Sequence, residues 1–137
     1  VEAIELDTLD QKLNQTRLYF ENNSDRFVPG QEASLKELID TIQAIQRLQI
    51  KLDTVFQITI LGHTDSSGTE KLNRRLSRNR AETVLNHLIV NQVNPAFMTI
   101  SGIGPDSPLI SEDSEENRAF NRAVSFRSFY LTPRKGQ

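Results

Sequence analysis

One arginine stands apart from its basic neighbours in the segment KLNRRLSRNRAETVLNHL, which begins at Lys71. If the segment is a helix, with about 100° per residue, Arg80 falls on an apolar arc and shares a stripe with Asn73 and Ser77. The apolar residues of that arc are Leu72, Leu76, Val84 and Leu88. The opposite, polar face carries Lys71, Arg74, Arg75 and Arg78, which we interpret as a solvated surface.

An inward-facing guanidinium needs partners, because burying an unpaired charge is costly. Arg80 must therefore reach an acid, a group of carbonyls or a ligand anion. Asp65 is the obvious candidate acid, in a loop between a predicted strand and this helix. Ligands of α/β sheets commonly bind outside the carboxyl ends of strands. The spacing leaves two alternatives open: Asp65 and Arg80 grip a ligand together, or they form an internal salt bridge that holds the loop.

The elements that would position this pair can be read from hydrophobic periodicity. Apolar residues at i, i+3 and i+4 predict amphipathic helices, and β-branched runs such as VFQITIL predict buried strands. We predict helices at residues 32–51 and 69–92, a short helix at 114–120, and strands at 13–21, 55–61, 97–103 and 123–131. This order predicts an α/β sandwich in which two main helices pack on one mixed sheet. The acidic run at residues 111–116 is interpreted as a solvated loop.

The chain has 137 residues, which fits a single domain, with 36% apolar and 25% charged residues, as in soluble globular proteins. We place the core at residues 17–130 and expect a flexible lead-in at 1–12 and a flexible tail at 132–137. The absence of cysteine excludes disulfides and thiolate chemistry. No apolar run approaches the length of a membrane span. Because the chain does not begin with methionine, we interpret it as a mature product or an excised domain, without any targeting or anchoring segment.

Two sequence blocks match a known pattern. In GHTDSSGTEKLNRRLSRNRAETV, the matching positions are Thr64, Asp65, Gly68, Asn73, Leu76, Ser77, Arg80, Ala81 and Val84. A second block, RAFNRAV at residues 118–124, matches a pattern RAxNRRV. These blocks resemble the OmpA-like peptidoglycan-binding domains, and the resemblance covers about residues 17–130. Two departures are Ala123, where the family has a second arginine, and Ser125, where it often has an acid.

The resemblance implies a βαβαββ-type fold and non-covalent binding of the meso-diaminopimelate in the peptidoglycan stem peptide. Carried over by position, Asp65 would accept the ammonium and Arg80 would form a bidentate pair with the carboxylate. The ligand-binding residues implied in this way are Asp65, Arg80, Asn73, Arg122, Ser67 and Asn23. The supporting residues are Thr64, Gly68, Leu76, Ser77, Ala81 and Asn121.

The resemblance also implies a cellular setting. It places the domain in the periplasm or cell envelope of a bacterium, at the C-terminal end of a larger membrane-associated protein that it tethers to the wall. Membrane contact would occur only through an anchor or upstream segment outside this chain. Stator-type relatives dimerise, so a homodimer stays open. No cofactor or metal is expected.

The sequence argues against two other functions and leaves a third open. Catalysis is disfavoured because His63 and His87 show no ligand spacing and no hydrolase motif is present. Nucleic-acid binding is disfavoured because the formal net charge is −2 and no aromatic residue interleaves the basic stripe. The third alternative is a structural or protein-interaction module of an envelope protein whose wall-binding site is weakened.

Overall fold

Helices and strands alternate along the chain in the computed structural model, which describes residues 2–131. The helices are α1 (Glu2–Gln15), α2 (Glu32–Lys51), α3 (Glu70–Val90) and α4 (Glu115–Phe120). The strands are β1 (Leu18–Tyr19), β2 (Val55–Gly62), β3 (Met98–Gly102) and β4 (Ala123–Leu131). The predicted tail at residues 132–137 lies outside the described part of the chain.

The strands form one mixed sheet in the order β1-β4-β2-β3. Strand β2 is parallel to β3, whereas β4 runs antiparallel to both β1 and β2. Alternate residues of β2, namely Phe56, Ile58 and Ile60, are buried in the hydrophobic core. The predicted α/β class and mixed sheet are confirmed, and the predicted bounds of α2 and β4 are those observed. Within residues 2–131, no helix combines the length and hydropathy that a membrane crossing requires.

Two glycines set the position of α3 over the sheet. Gly62 and Gly102 are partners in the β2–β3 register. A Cβ atom added to Gly62 would lie 1.7 Å from the carbonyl oxygen of Ser77, and one added to Gly102 would lie 2.4 Å from the backbone nitrogen of Arg78. The backbone of α3 therefore crosses directly over the carboxyl ends of both strands, beside the loop that carries Asp65.

The N-terminal segment is where the sequence interpretation was wrong. Residues 1–12 were expected to form a flexible lead-in, yet Glu2–Gln15 form α1. Leu6 and Leu13 are buried, and α1 contacts both α2 and β4. The predicted strand at residues 13–21 shrinks to Leu18–Tyr19. The helix was missed because its apolar stripe is short and is interrupted by acidic residues, so the pattern is weak until α2 and β4 complete the core.

The packing of α1 gives a stability test. We expect Leu13→Ala to lower the free energy of unfolding by about 2–5 kcal/mol, because it removes a fully buried side chain and leaves a cavity. Ile4 lies on the same helix and is 70% exposed, so Ile4→Ala should change stability by less than about 0.5 kcal/mol. Urea denaturation followed by circular dichroism measures both. Equal effects would contradict the docking of α1.

Candidate functional site

A half-open cavity of about 370 Å³ lies beyond the carboxyl end of β2, beside the first half of α3. Its walls come from the loop after β1, the loop after β2, helix α3 and the residue before β4. The lining residues are Asn22, Asn23, Thr64, Asp65, Ser67, Gly68, Leu72, Asn73, Leu76, Arg80 and Arg122. All six residues predicted to bind a ligand therefore line one cavity, and so do three of the supporting residues, Thr64, Gly68 and Leu76.

Asp65 is the anionic group of the cavity and is 5% exposed. Its Oδ1 atom accepts hydrogen bonds from the backbone nitrogen of Ser67, at 2.9 Å, and from the Ser67 hydroxyl. Its Oδ2 atom accepts a hydrogen bond from Nε of Arg122 at 2.7 Å. Burial alone would raise the pKa of Asp65, but the bonds from Ser67 and Arg122 outweigh it and hold the pKa below its usual value. The carboxylate is therefore ionised at neutral pH, and Oδ2 keeps capacity for another donor.

Arg80 is buried and bonds backbone carbonyls. Its Nε donates to Ser24 O at 2.8 Å, Nη1 to His63 O at 2.8 Å and Nη2 to Glu21 O at 3.1 Å. The alternative of a direct Asp65–Arg80 salt bridge is wrong: Asp65 pairs with Arg122 instead. Three of the five guanidinium N–H groups are used in these bonds, which leaves two for a ligand.

Arg80 stays positively charged although it is buried. Burial lowers the pKa of this guanidinium to about 10, while the negative charges of Asp65 and Asp25 oppose that change. At that value the side chain stays cationic at neutral pH. The ring of Phe20 adds a further favourable contact, with its centroid 5.5 Å from Cζ of Arg80.

Arg122 is the second cation of the cavity. Its side chain is 12% exposed, and besides Asp65 it binds Oε1 of Glu115, from Nη2, at 2.7 Å. Burial would lower the pKa of Arg122, but the carboxylates of Glu115 and Asp65 outweigh burial and raise it. Glu115 belongs to the acidic segment that the sequence suggested was merely solvated.

A second carboxylate of that segment bonds residues next to the cavity lining. Glu112 accepts hydrogen bonds from the backbone nitrogen and hydroxyl of Ser66, at 3.2 and 2.7 Å, and from Nδ2 of Asn121 at 3.1 Å. Residues 111–116 are largely exposed, as expected, but Glu112 and Glu115 also bond residues at and beside the cavity. Sequence patterns could not reveal these contacts, because exposed acidic side chains follow no hydrophobic period.

The remaining predicted residues divide between the cavity wall and the scaffold. Asn73 donates from Nδ2 to Ser67 O at 2.9 Å and so fixes the loop that carries Asp65. Thr64 is 2% exposed, and its hydroxyl has no hydrogen-bond partner among the described residues. Asn23 has a φ of 52°, a left-handed conformation that asparagine tolerates better than most residues.

Three supporting residues do not line the cavity. Ser77 bonds Arg74 O and accepts from Gly104 N at 3.0 Å, which ties α3 to the loop after β3. Ala81 is fully buried in the core. Asn121 accepts from the backbone nitrogens of Leu109 and Ile110 and thereby holds the loop before α4. These three residues shape the elements around the cavity.

Two lining residues were missed by the sequence interpretation. Asn22 lies beside Asn23 in the turn after β1, so the asparagine pair was the available signal. Leu72 was expected on the buried arc of the helix, but it is 57% exposed at the rim of the cavity. This expectation failed because Leu72 lies in the first turn of α3, beyond the edge of the sheet. Lys71, Arg74, Arg75 and Arg78 are exposed, as the helical phase predicts.

His63 is part of the scaffold beneath the cavity. It is 3% exposed, and its Nε2 lies 2.7 Å from the hydroxyl of Ser125. Burial lowers the pKa of His63 to about 4, and the positive charges of Arg17 and Arg127 lower it further in the same direction. The ring is thus neutral at neutral pH. Over residues 2–131, no group of three or more His, Cys, Asp or Glu side chains is placed to hold a metal.

The fold and the cavity together define a small α/β domain whose cavity at the strand ends is lined by one carboxylate and two guanidinium groups. The comparisons with known proteins give its family. Residues 19–122 match the model of the OmpA family, and the chain belongs to that family. The resemblance seen in the sequence is thereby confirmed.

Individual relatives show how far the likeness extends. The chain is 35% identical to Outer membrane protein A of Bordetella avium over 74% of its own length and 53% of that protein. It is 30% identical to the Peptidoglycan-binding protein ArfA of Mycobacterium tuberculosis, over 77% of this chain and 30% of that protein. The crystal structure of the C-terminal domain of Helicobacter pylori MotB superposes with a TM-score of 0.60 at 30% identity, covering 85% of this chain and 84% of that one. The chain spans about half or less of the length of these two sequence relatives.

The buried histidine gives a pH test. Between pH 6.5 and pH 4 the unfolded chain binds a proton at His63 that the folded chain does not bind, so stability is lost as the pH falls through this window. We expect His63→Gln, which cannot titrate, to show a shallower loss of stability from pH 6.5 to 4. Denaturation at several pH values measures how the free energy of unfolding of each protein changes with pH. The difference in this free energy between the two proteins at pH 8 corrects for the packing lost in the variant. Equal slopes in the two proteins would contradict the neutral, buried state of His63.

Proposed function

We propose that this domain binds peptidoglycan non-covalently through the zwitterionic centre of meso-diaminopimelate, as a binding module and not an enzyme. The observation that carries the proposal is the cavity itself, in which one ionised carboxylate and two arginines with remaining hydrogen-bonding capacity face the same space. An amino-acid centre carries an ammonium and a carboxylate a few ångströms apart. Its recognition requires a fixed anion and a fixed cation, and both line this cavity.

The charges in and beside the cavity suit a ligand without net charge. Asp65, Arg80 and Arg122 line the cavity, and Glu115, which lies outside the lining, pairs with Arg122. These four charges cancel formally, so neither the ammonium nor the carboxylate of a zwitterion is opposed by an excess of like charge. A ligand with only carboxylates would pair with the arginines but would leave Asp65 facing a like charge.

Eight of the eleven lining residues have a defined part in this proposal. The free acceptor capacity of Asp65 takes the ammonium, and the remaining N–H groups of Arg80 take the carboxylate, because charge-assisted bonds of this kind are strong. Arg122 adds a second cationic contact. Ser67, Asn73 and Asn23 shape the walls. Leu72 and Leu76 offer apolar surface to the methylene chain between the two amino-acid centres.

The relatives support this assignment in outline. ArfA carries peptidoglycan binding in its name, and the match covers most of this chain. Because that match covers 30% of ArfA, the likeness is to a domain of a longer protein. We propose accordingly that this domain attaches a larger envelope protein to the wall from the periplasmic side. Many weak attachments along the wall would add avidity without a tight single site.

The decisive variant is Asp65→Asn. The amide keeps an oxygen that accepts from Ser67, but it loses the charge that holds the ammonium. We expect the Kd for meso-diaminopimelate, measured by calorimetry, to rise by about 10- to 100-fold, which corresponds to one charge-assisted bond. The domain should also sediment less with purified diaminopimelate-type sacculi.

Asp106→Asn serves as the matched control, because Asp106 is exposed and lies outside the cavity. Its affinity should equal that of the wild type. Arg80→Ala is a poorer test, since it would leave three backbone carbonyls without their donor and destabilise the fold. Undiminished binding by Asp65→Asn would refute the role of Asp65, and a wild-type domain that binds neither ligand nor sacculi would favour a structural module instead.

A further inference from the structure

Helix α4 places the carboxylate of Glu115 next to Arg122, one of the two cations of the cavity. The side chain of Glu115 is 75% exposed, yet Oε1 lies 2.7 Å from Nη2 of Arg122. Its neighbour Glu116 is exposed and forms no hydrogen bond or ion pair that the structure records within residues 2–131. The two glutamates share the first turn of α4, so they differ in contact and not in local structure. Glu115 does not line the cavity, and any effect on a ligand must pass through Arg122.

Arg122 is held between two carboxylates by different edges of its guanidinium. Nε binds Asp65 inside the cavity, and Nη2 binds Glu115 outside it. Arg122 meets Asp65 through Nε alone, and the bond recorded for Nη2 is the one to Glu115. Without Glu115, Nε and Nη2 would both be free to pair with Asp65, and a bidentate pair is the geometry that guanidinium and carboxylate prefer.

The bidentate pair that could form without Glu115 would change which ligands the cavity binds. A bidentate Arg122–Asp65 pair would occupy the acceptor capacity of Asp65 that an incoming ammonium needs. Loss of the Glu115 charge would also shift the formal charge of the four-residue cluster from zero to +1. Both changes disfavour an ammonium, and the second favours a carboxylate.

We propose that Glu115 is a positioning residue that gives the cavity its preference for zwitterionic over purely anionic ligands, by holding Arg122 away from a bidentate pair with Asp65. This inference rests on the proposed function, because it concerns the selectivity of the same cavity. It assigns a role to a residue of the acidic segment that touches no ligand. It also explains why a carboxylate outside the cavity contacts a cation that lines it.

The test compares two ligands with the same seven-carbon chain. The first is meso-diaminopimelate, which carries an ammonium beside each carboxylate, and the second is pimelate, which carries the carboxylates alone. Calorimetry on the whole chain gives both affinities for the wild type, for Glu115→Gln and for Glu116→Gln as the matched control. We expect Glu115→Gln to lower the ratio of diaminopimelate affinity to pimelate affinity by about 5-fold, the usual scale for a partly exposed charge pair. Glu116→Gln should keep the wild-type ratio.

The ratio separates positioning from structure. If Glu115 only stabilised α4, its loss would weaken both ligands together and leave the ratio unchanged, and that result would overturn the inference. Glu115→Asp, which keeps the charge, should retain more of the wild-type ratio than Glu115→Gln does. If the wild type binds diaminopimelate and the ratio is the same in all variants, this inference alone is wrong. If the wild type binds neither ligand, the proposed function is wrong and the inference falls with it.

Discussion

One guanidinium holds the two sides of the cavity together. Arg80 extends from α3 and donates to the carbonyls of Glu21 and Ser24, which flank the Asn22–Asn23 turn, and to the carbonyl of His63, which precedes Thr64 and Asp65. The turn after β1 and the loop after β2 are about forty residues apart in sequence, and within the described residues this side chain bonds both. A buried charge without partners would be costly. The carbonyls therefore stabilise the buried cation, and the cation satisfies the carbonyls.

This arrangement gives a structural role to the residue proposed to bind a carboxylate. The carbonyls use three N–H groups of Arg80 and keep the cation in place, while Arg80 also lines the cavity. Asp65 is free of Arg80 because Arg122 and Ser67 compensate its charge instead. The anion and the first cation of the cavity are thus fixed by separate partners, so the protein does not have to break an internal salt bridge between them before a ligand enters. Preorganisation of this kind lowers the cost of binding.

Sequence patterns predicted the helices and strands well where buried residues recur at regular intervals within one segment. Helix 32–51 and strand 123–131 were found at their observed bounds because their apolar residues recur with a regular period along one segment. The inward phase of Arg80 was predicted in the same way. Its carbonyl partners were not, because the bonds to Glu21 and Ser24 span more than fifty residues. The bonds of Glu112 to Ser66 and of Glu115 to Arg122 were not predicted because exposed acidic side chains follow no hydrophobic period. Helix α1 was missed because its apolar stripe is short and interrupted by acidic residues.

The two positions that depart from the family pattern lie away from the charged residues of the cavity. Ala123 stands where the family has a second arginine, but it is fully buried, pairs with Tyr19 in the sheet and is absent from the cavity lining. Ser125, at the position of a frequent acid, bonds the buried His63 ring. A carboxylate there would stabilise the protonated ring, whereas a hydroxyl leaves it neutral. The two departures thus alter the scaffold behind the cavity and leave Asp65, Arg80 and Arg122 in place.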